Sequence, residues 1–318
     1  MKNIQSINEF WGAVIRRDMS SAVREEEKFH SKEELQEYLR KEIEKQGENV
    51  VIKNLDVSGI EDLSYLFRGM LGKVETLDLS GWNAKGVKDM AHMFHWGGFK
   101  SLDLSGWKTD DVENMDGMFY YCTHIRALDM SGWRTDNALS MKSMFDNCIN
   151  IISLNISSLN TCSVKNMNDM FSNCASLKSI DLSGWDTSSV ETMRHMFDSC
   201  SSLEALDVSG WNTGSVRDMF DIFAGCIRLK SLDLSGWDTH NVEEMFGMFV
   251  DCSQINNLNL SGWDTSNAKD MGNMFRNCIN LSKLDLSGWN TDKVESMMHM
   301  FIRCPSPYKV VDNKIVKI

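Results

Sequence analysis

Apolar and polar positions alternate along this chain in a pattern that returns every 26 residues. Each unit opens with a short alternation such as Ile180-Asp181-Leu182, which predicts a half-buried β-strand, and a Ser-Gly-Trp turn follows. A second segment spaces its apolar residues by three and four, which predicts the buried face of an α-helix. In one unit those residues are Val190, Met193, Met196, Phe197 and Cys200.

The repeat determines the predicted architecture. A short strand and a short helix cannot bury their apolar faces alone, so neighbouring units must stack into a continuous core. We therefore predict an α/β solenoid with one short parallel strand and one helix per coil. Tryptophan, methionine, phenylalanine and cysteine columns all keep the same step, and the cysteines are Cys122, Cys148, Cys174, Cys200, Cys226, Cys252, Cys278 and Cys304.

Both ends depart from the repeat, as the caps of a solenoid should. Residues 4–19 place apolar side chains at helical spacing, and Ser31 with Glu34 forms a capping box for a further helix. Pro305 and Pro307 end the last unit, and the residues after them predict a hairpin over the final sheet edge. We predict a helical N-terminal cap (1–50), a solenoid of about ten coils with a shortened first coil (51–304) and a C-terminal hairpin cap (305–318).

The repeated motif resembles that of a known family. The unit at residues 180–203, Ile-Asp-Leu-Ser-Gly-Trp-Asp-Thr-Ser-Ser-Val-x-x-Met-x-x-Met-Phe-x-x-Cys-x-x-Leu, is similar to the 26-residue repeat of BspA-like bacterial leucine-rich-repeat proteins. The likeness covers about residues 31–304 and includes the helix that leads into the first coil. The resemblance implies that this chain is a non-enzymatic leucine-rich-repeat solenoid. It also implies a surface or secreted protein that takes part in adhesion and protein–protein contact.

Composition narrows the partner and the compartment. The chain is 42% hydrophobic and carries a net charge of −12, which disfavours nucleic acid and anionic membrane surfaces as partners. No apolar leader is visible after Met1, and nine cysteines without an export signal indicate reduced thiols. We therefore expect a cytoplasmic protein, with the cell surface or secretion as the alternative that the resemblance implies.

No pattern in the chain predicts catalysis, a cofactor or a metal site. The aspartates that recur at one strand position, such as Asp181 and Asp207, fit Asx-type caps of the following Ser-Gly amides, and a cation-binding rod is the alternative reading. The cysteine column lies on the apolar face and lacks the Cys-x-x-Cys spacing of zinc sites. His92 and His95 could share a helix face, but the sequence places no third ligand beside them.

The remaining candidate is a protein-binding surface. Phe220 and Phe246 occupy one position of consecutive units, where other units hold mostly polar residues. Exposed aromatic side chains are candidate binding hot spots, although these rings could instead tuck between neighbouring helices. We predict a non-catalytic protein-binding solenoid, as a scaffold, inhibitor or immunity-type protein with a basic partner; a surface adhesin is the alternative. The candidate partner-binding residues are Phe220, Phe246, Met298, Tyr120 and Tyr121.

Overall fold

A computed structural model describes residues 28–318 and shows a solenoid of stacked coils preceded by one helix. The helix, α1 (Lys32–Gln46), begins where the Ser31 hydroxyl accepts a hydrogen bond of 3.1 Å from the Glu34 amide, and it ends at Gly47. Its buried face is Leu35, Leu39 and Ile43. The capping box predicted this helix, whereas the helix predicted over residues 4–19 lies outside the described residues.

Short parallel strands line one side of the solenoid. They pair in register, so that Leu77 of one coil lies beside Leu102 of the next. Residues 180–182 and 206–208, which the sequence also predicted as strands, form no regular strand. The strands are β1 (Asn49–Val51), β2 (Thr76–Asp78), β3 (Ser101–Asp103), β4 (Ala127–Asp129), β5 (Ser153–Asn155), β6 (Ser231–Asp233) and β7 (Asn257–Asn259).

A second line of parallel bridges runs the whole length of the solenoid. It joins one residue per coil, each directly before the residue that corresponds to Met193. This line continues through the coils that lack a regular strand, so every coil keeps its register with the next. Its residues are Asp62, Asp89, Asn114, Ser140, Asn166, Thr192, Asp218, Glu244, Asp270 and Ser296.

The interior is built from columns of identical residues. Phe171 stacks on Phe197 with ring centroids 5.4 Å apart, and Phe197 stacks on Phe223 at 5.8 Å. Buried tryptophans need an acceptor for the indole N–H, and the Nε1 of Trp237 donates to the Val208 carbonyl of the preceding coil at 3.0 Å. The Thr187 hydroxyl donates to the Asn212 carbonyl of the next coil at 2.8 Å. Neighbouring coils are therefore joined by side chains as well as by backbone.

The helix predicted in each coil is wrong: the second segment is a pair of β-turns. In the coil of Met167, the Met170 amide donates to the Met167 carbonyl at 3.4 Å, and the Cys174 amide donates to the Phe171 carbonyl at 3.1 Å. The third residue of each turn, Asp169 and then Asn173, has a φ of 57°, which no α-helix contains. The same pair of turns recurs from coil to coil, and α1 is the one helix of the described residues.

The turns replace the helix because they let the backbone bond between coils. In the same coil, the amides of Asp169, Phe171 and Asn173 donate to carbonyls of the next coil at 2.8–2.9 Å. Two four-residue turns place apolar side chains inward at i, i+3, i+4 and i+7, which is also the spacing of a helical face. The sequence pattern therefore fitted both structures, and a long stack of coils favours the one that shares hydrogen bonds between neighbours.

An antiparallel hairpin, β8 (Tyr308–Val311) and β9 (Lys314–Lys317), follows the last coil. The Tyr308 hydroxyl accepts a hydrogen bond of 3.2 Å from the Leu286 amide and so ties the hairpin to the strand side of that coil. Residues 28–318 contain no helix whose length and apolar character would let it cross a membrane.

Candidate functional site

The paired turns of successive coils form one side of the solenoid, which we call the turn face. Two columns of residues run along the turn face, and each column consists of the third residue of one of the two turns. The first column holds Tyr65, His92, Gly117, Ser143, Asp169, His195, Asp221, Gly247, Asn273 and His299. The second column holds Gly69, Trp96, Tyr121, Asn147, Asn173, Ser199, Gly225, Asp251, Asn277 and Arg303.

Trp96 and Tyr121 are unusual occupants of the second column. They have φ values of 62° and 58°, a region that Asn, Asp and Gly enter readily but that is a real outlier for a bulky residue. Their rings stack with centroids 5.5 Å apart, and yet 69% of Trp96 and 36% of Tyr121 remain exposed. Two strained backbone positions therefore hold aromatic rings that are exposed to solvent.

Further rings join these two into one group. Tyr65, which is 39% exposed and also has a positive φ, stacks on His92 at 4.8 Å. His95 lies 5.3 Å from His92 and 5.0 Å from Tyr120, and Tyr120 contacts Tyr121 edge-on at 4.7 Å. We call this group the aromatic cluster, and it consists of Tyr65, His92, His95, Trp96, Tyr120 and Tyr121.

Burial holds the two histidines of the aromatic cluster toward their neutral form. Burial lowers the pKa of His92 and of His95, and their mutual repulsion lowers the pKa of His95 further. Burial also raises the pKa of Tyr120, with Asp146 and Tyr121 adding to the shift. Rings held in this way offer stacking and van der Waals contact to a ligand.

A row of carboxylates continues the turn face beyond the aromatic cluster. Burial raises the pKa of Asp146 to about 7, and the neighbouring Asp169 adds repulsion. Burial raises the pKa of Asp221 to about 6, against the opposing attraction of His195, whose Nδ1 lies 3.9 Å from its Oδ2. The buried Oδ1 of Asp221 has no hydrogen-bond partner. We call Asp146, Asp169, Asp198 and Asp221 the carboxylate row.

Phe220 and Phe246, the pair singled out by the sequence, lie at the Asp221 end of the carboxylate row. They are half-buried, and their rings stack at 4.9 Å. The Arg194 guanidinium carbon lies 4.5 Å from the centroid of Phe220, while its Nη1 donates to Asp218 at 2.8 Å. Part of this surface is therefore already covered by neighbouring side chains, and the role of the pair in binding stays a prediction.

The other candidate residues fall in two places. Tyr120 and Tyr121 belong to the aromatic cluster, whereas Met298, which is 66% exposed, lies in the last coil. With coils about 4.8 Å apart, that coil is roughly 34 Å from the coil of Tyr120, so the structure does not unite these residues. Sequence reasoning missed Tyr65, Trp96 and the carboxylate row. A comparison of each outward column across units would have found the aromatic residues, because asparagine and glycine are the usual occupants of the second column.

The aspartate and cysteine columns have structural roles. The Oδ1 of Asp181 accepts from the Ser183 hydroxyl at 2.7 Å and from the Ser183 amide at 3.1 Å, and these two bonds lower the pKa of Asp181. The Cys200 thiol donates to the Phe171 carbonyl at 3.1 Å, and burial raises its pKa well above the ordinary value. All nine cysteines are free thiols. Within residues 28–318 no group of histidine, cysteine, aspartate and glutamate could hold a metal ion.

Comparisons with known proteins find one family and several leucine-rich-repeat structures of low similarity. The family described as "Mycoplasma protein of unknown function, DUF285" matches residues 33–153, 125–232 and 222–313. Among solved structures, a T. pallidum leucine-rich-repeat protein shares 18% identity over 53% of this chain and 70% of its own, with a TM-score of 0.35. A leucine-rich-repeat protein of Leptospira interrogans shares 12% identity over 86% of this chain and 84% of its own, with a TM-score of 0.21.

TLR13 in its complex with ssRNA13 is also similar, with 15% identity over 74% of this chain and 39% of its own and a TM-score of 0.25. These TM-scores are too low to carry an argument about function, so the RNA of that complex says nothing of this chain. No curated protein matches it.

Proposed function

The chain belongs to the family described as Mycoplasma protein of unknown function, DUF285, and because that description names no activity, we propose a function from the turn face: non-catalytic binding of another protein. The observation that carries the proposal is the display of Trp96 and Tyr121 at positive φ. Strained residues persist when the surrounding structure holds them, and they concentrate at functional sites. Exposed tryptophan and tyrosine are also the side chains most enriched in binding hot spots.

The physical reason for binding rather than catalysis is the chemistry of this surface. The aromatic cluster offers apolar rings at low conformational cost and no activated nucleophile, and the described residues offer no metal site beside it. Phe220 and Phe246 supply a second aromatic contact area on the same face. The exposed Met298 adds an apolar, non-aromatic contact at the far end. A long partner could touch several of them, as the extended surfaces of solenoids allow.

The role we favour is that of an intracellular scaffold, inhibitor or immunity-type protein. Nine free cysteines, seven of them buried, fit a reducing compartment, where disulfides do not form. We also propose that the repeat is of the BspA-like type, and this part of the proposal rests on the sequence motif alone. Cell fractionation with an antibody to the chain tests the compartment: recovery outside the membrane would replace the intracellular role with the adhesin role.

Affinity capture from the native cells tests the binding function. The bait variants are Trp96→Asn/Tyr121→Asn, which keep residues suited to positive φ but remove both rings, and Phe220→Lys/Phe246→Lys. The matched control is Ile152→Ser, an exposed apolar residue outside the turn face. We expect one stoichiometric partner that the wild-type chain and the control retain and the first variant loses. Equal capture by all baits would remove the aromatic cluster from the proposal.

A further inference from the structure

We propose that the turn face receives an arginine-rich segment of its partner, with guanidinium groups stacking on Trp96 and Tyr121 and pairing with the carboxylate row. The inference rests on the proposed function and adds the chemistry of the partner to it. It is drawn from the order of residues along the face, from the charge balance of the row, and from one guanidinium that the face already holds.

The aromatic cluster and the carboxylate row form one continuous surface. Asp146 occupies, in its coil, the position that Tyr120 holds in the preceding one, and it is close enough to raise the pKa of Tyr120. Repulsion from Asp169 helps to raise the pKa of Asp146. The pKa of Asp198 is lowered by His195 and raised by Asp169, so these side chains also lie close together. An extended segment lying along the solenoid axis would meet the rings first and the carboxylates directly after them.

The carboxylate row has fewer positive charges than negative ones. Three groups act favourably on it: Lys142, Arg194 and His195. Arg194 is already engaged by Asp218 at 2.8 Å, and the His195 ring packs edge-on against Phe220 at 5.2 Å. Burial raises the pKa of all four carboxyl groups, and the Oδ1 of Asp221 lacks a hydrogen-bond donor. A cation bound from outside would supply the missing positive charge.

Arg194 shows how this face holds a guanidinium. Its carbon lies 4.5 Å from the Phe220 centroid while Nη1 donates to a carboxylate at 2.8 Å. The Tyr121 amide donates to the Asp146 carbonyl at 2.9 Å, so the exposed rings of Trp96 and Tyr121 lie next to the coil that holds the first carboxylate of the row. Arginine suits this surface better than lysine, because the planar guanidinium stacks on a ring and forks to a carboxylate simultaneously, whereas an ammonium is a compact and strongly hydrated point charge.

The test is the anisotropy of a fluorescein-labelled peptide of alternating arginine and serine, titrated with the full chain at about 0.1 M salt, where charges beyond about 10 Å are screened. The comparison peptide carries lysine in place of arginine. One variant replaces the carboxylate row by asparagine (Asp146, Asp169, Asp198 and Asp221→Asn). The matched control removes the same number of carboxyl groups from the strand side, where Asn155 and Asn259 already occupy the column (Asp103, Asp181, Asp207 and Asp233→Asn).

We expect the arginine peptide to bind about tenfold or more tightly than the lysine peptide. The carboxylate-row variant and Trp96→Asn/Tyr121→Asn should each weaken it by about tenfold or more, and the strand-side control by much less. Equal affinity for the two peptides, or equal loss in the row and control variants, would overturn the proposal by showing attraction to net charge alone. A partner captured through Trp96 and Tyr121 that lacks an arginine-rich segment would overturn this inference and leave the binding function standing.

Discussion

Replacing Gly225 by alanine should lower the stability of the protein if the residue lies in a turn, and should raise it if the residue lies in an α-helix. Gly225 is the third residue of the second turn in its coil and has a φ of 67°. A Cβ there would lie 3.2 Å from the Cα and 3.3 Å from the backbone nitrogen of Ser199, in the preceding coil. Both atoms belong to a backbone fixed by hydrogen bonds between coils, so the contact cannot be relieved by rotating a side chain.

The size of the effect follows from these two facts. An L-residue in the left-handed region costs about 1–2 kcal/mol relative to glycine, and the close contact adds to that cost. In the interior of an α-helix the same change would instead stabilise the protein by about 0.5–1 kcal/mol. The turn and helix structures therefore differ by about 2–3 kcal/mol in the expected free energy of unfolding, with opposite signs.

Urea unfolding followed by circular dichroism measures the change as a shift of the midpoint at unchanged slope. Arg303→Gly is the mirrored control: Arg303 is exposed, holds the equivalent position with a φ of 56°, and should gain stability on replacement, whereas a helix would lose about 1 kcal/mol. A Gly225→Ala protein that is more stable than the wild type, together with a less stable Arg303→Gly protein, would refute the paired turns.

Three further predictions concern the core, the carboxylate row and the thiols. Phe197→Ala, in the middle of the phenylalanine stack, should lower the free energy of unfolding by about 3–5 kcal/mol in the same urea assay; a loss under 1 kcal/mol would contradict a close-packed column. The folded-state pKa of Asp146 is raised from 3.8 to about 7, so the wild type loses stability as pH rises from about 4 to 7. Asp146→Asn should therefore melt higher than the wild type at pH 8 and show a smaller difference at pH 4. On brief alkylation of the native chain, mass spectrometry should find Cys162 modified first and Cys304, whose pKa is raised to about 11, more slowly; early labelling of a buried column cysteine would count against the packing.

Much of the fold follows from the sequence because the repeat constrains it so often. The inward residues of the unit at 190–200 are the ones the structure buries, and Ser31 with Glu34 caps α1 as its motif predicts. The helix in each coil was wrong because spacing records which side chains face inward and not the sign of φ. Asn173 and its equivalents carried the missing signal, since asparagine and glycine recurring at one position favour a left-handed residue.

The candidate site was harder to predict because it depends on contacts between coils. Phe220 and Phe246 were visible as a departure from a polar column, and their stacking follows from one coil lying on the next. Trp96 departs in the same way from a column that asparagine and glycine mostly hold, but the sequence reasoning did not compare that column across units. The raised pKa of Asp146 depends on burial, which the sequence pattern does not reveal.

Folding explains why Trp96 and Tyr121 are tolerated, but not why they are there. The Tyr121 amide donates to the next coil at 2.9 Å, and the Asn147 amide one coil later does so at the same distance, so the backbone gains nothing from the ring. Asparagine would avoid the strain of about 1–2 kcal/mol at each position and would leave the inward residues untouched. This unexplained cost supports the proposal that the exposed rings contact a partner. Because asparagine already occupies the same column in neighbouring coils, Trp96→Asn/Tyr121→Asn removes the rings without removing a residue type that the turn requires. Loss of a partner with the circular dichroism spectrum unchanged would thus report on the surface and not on the fold.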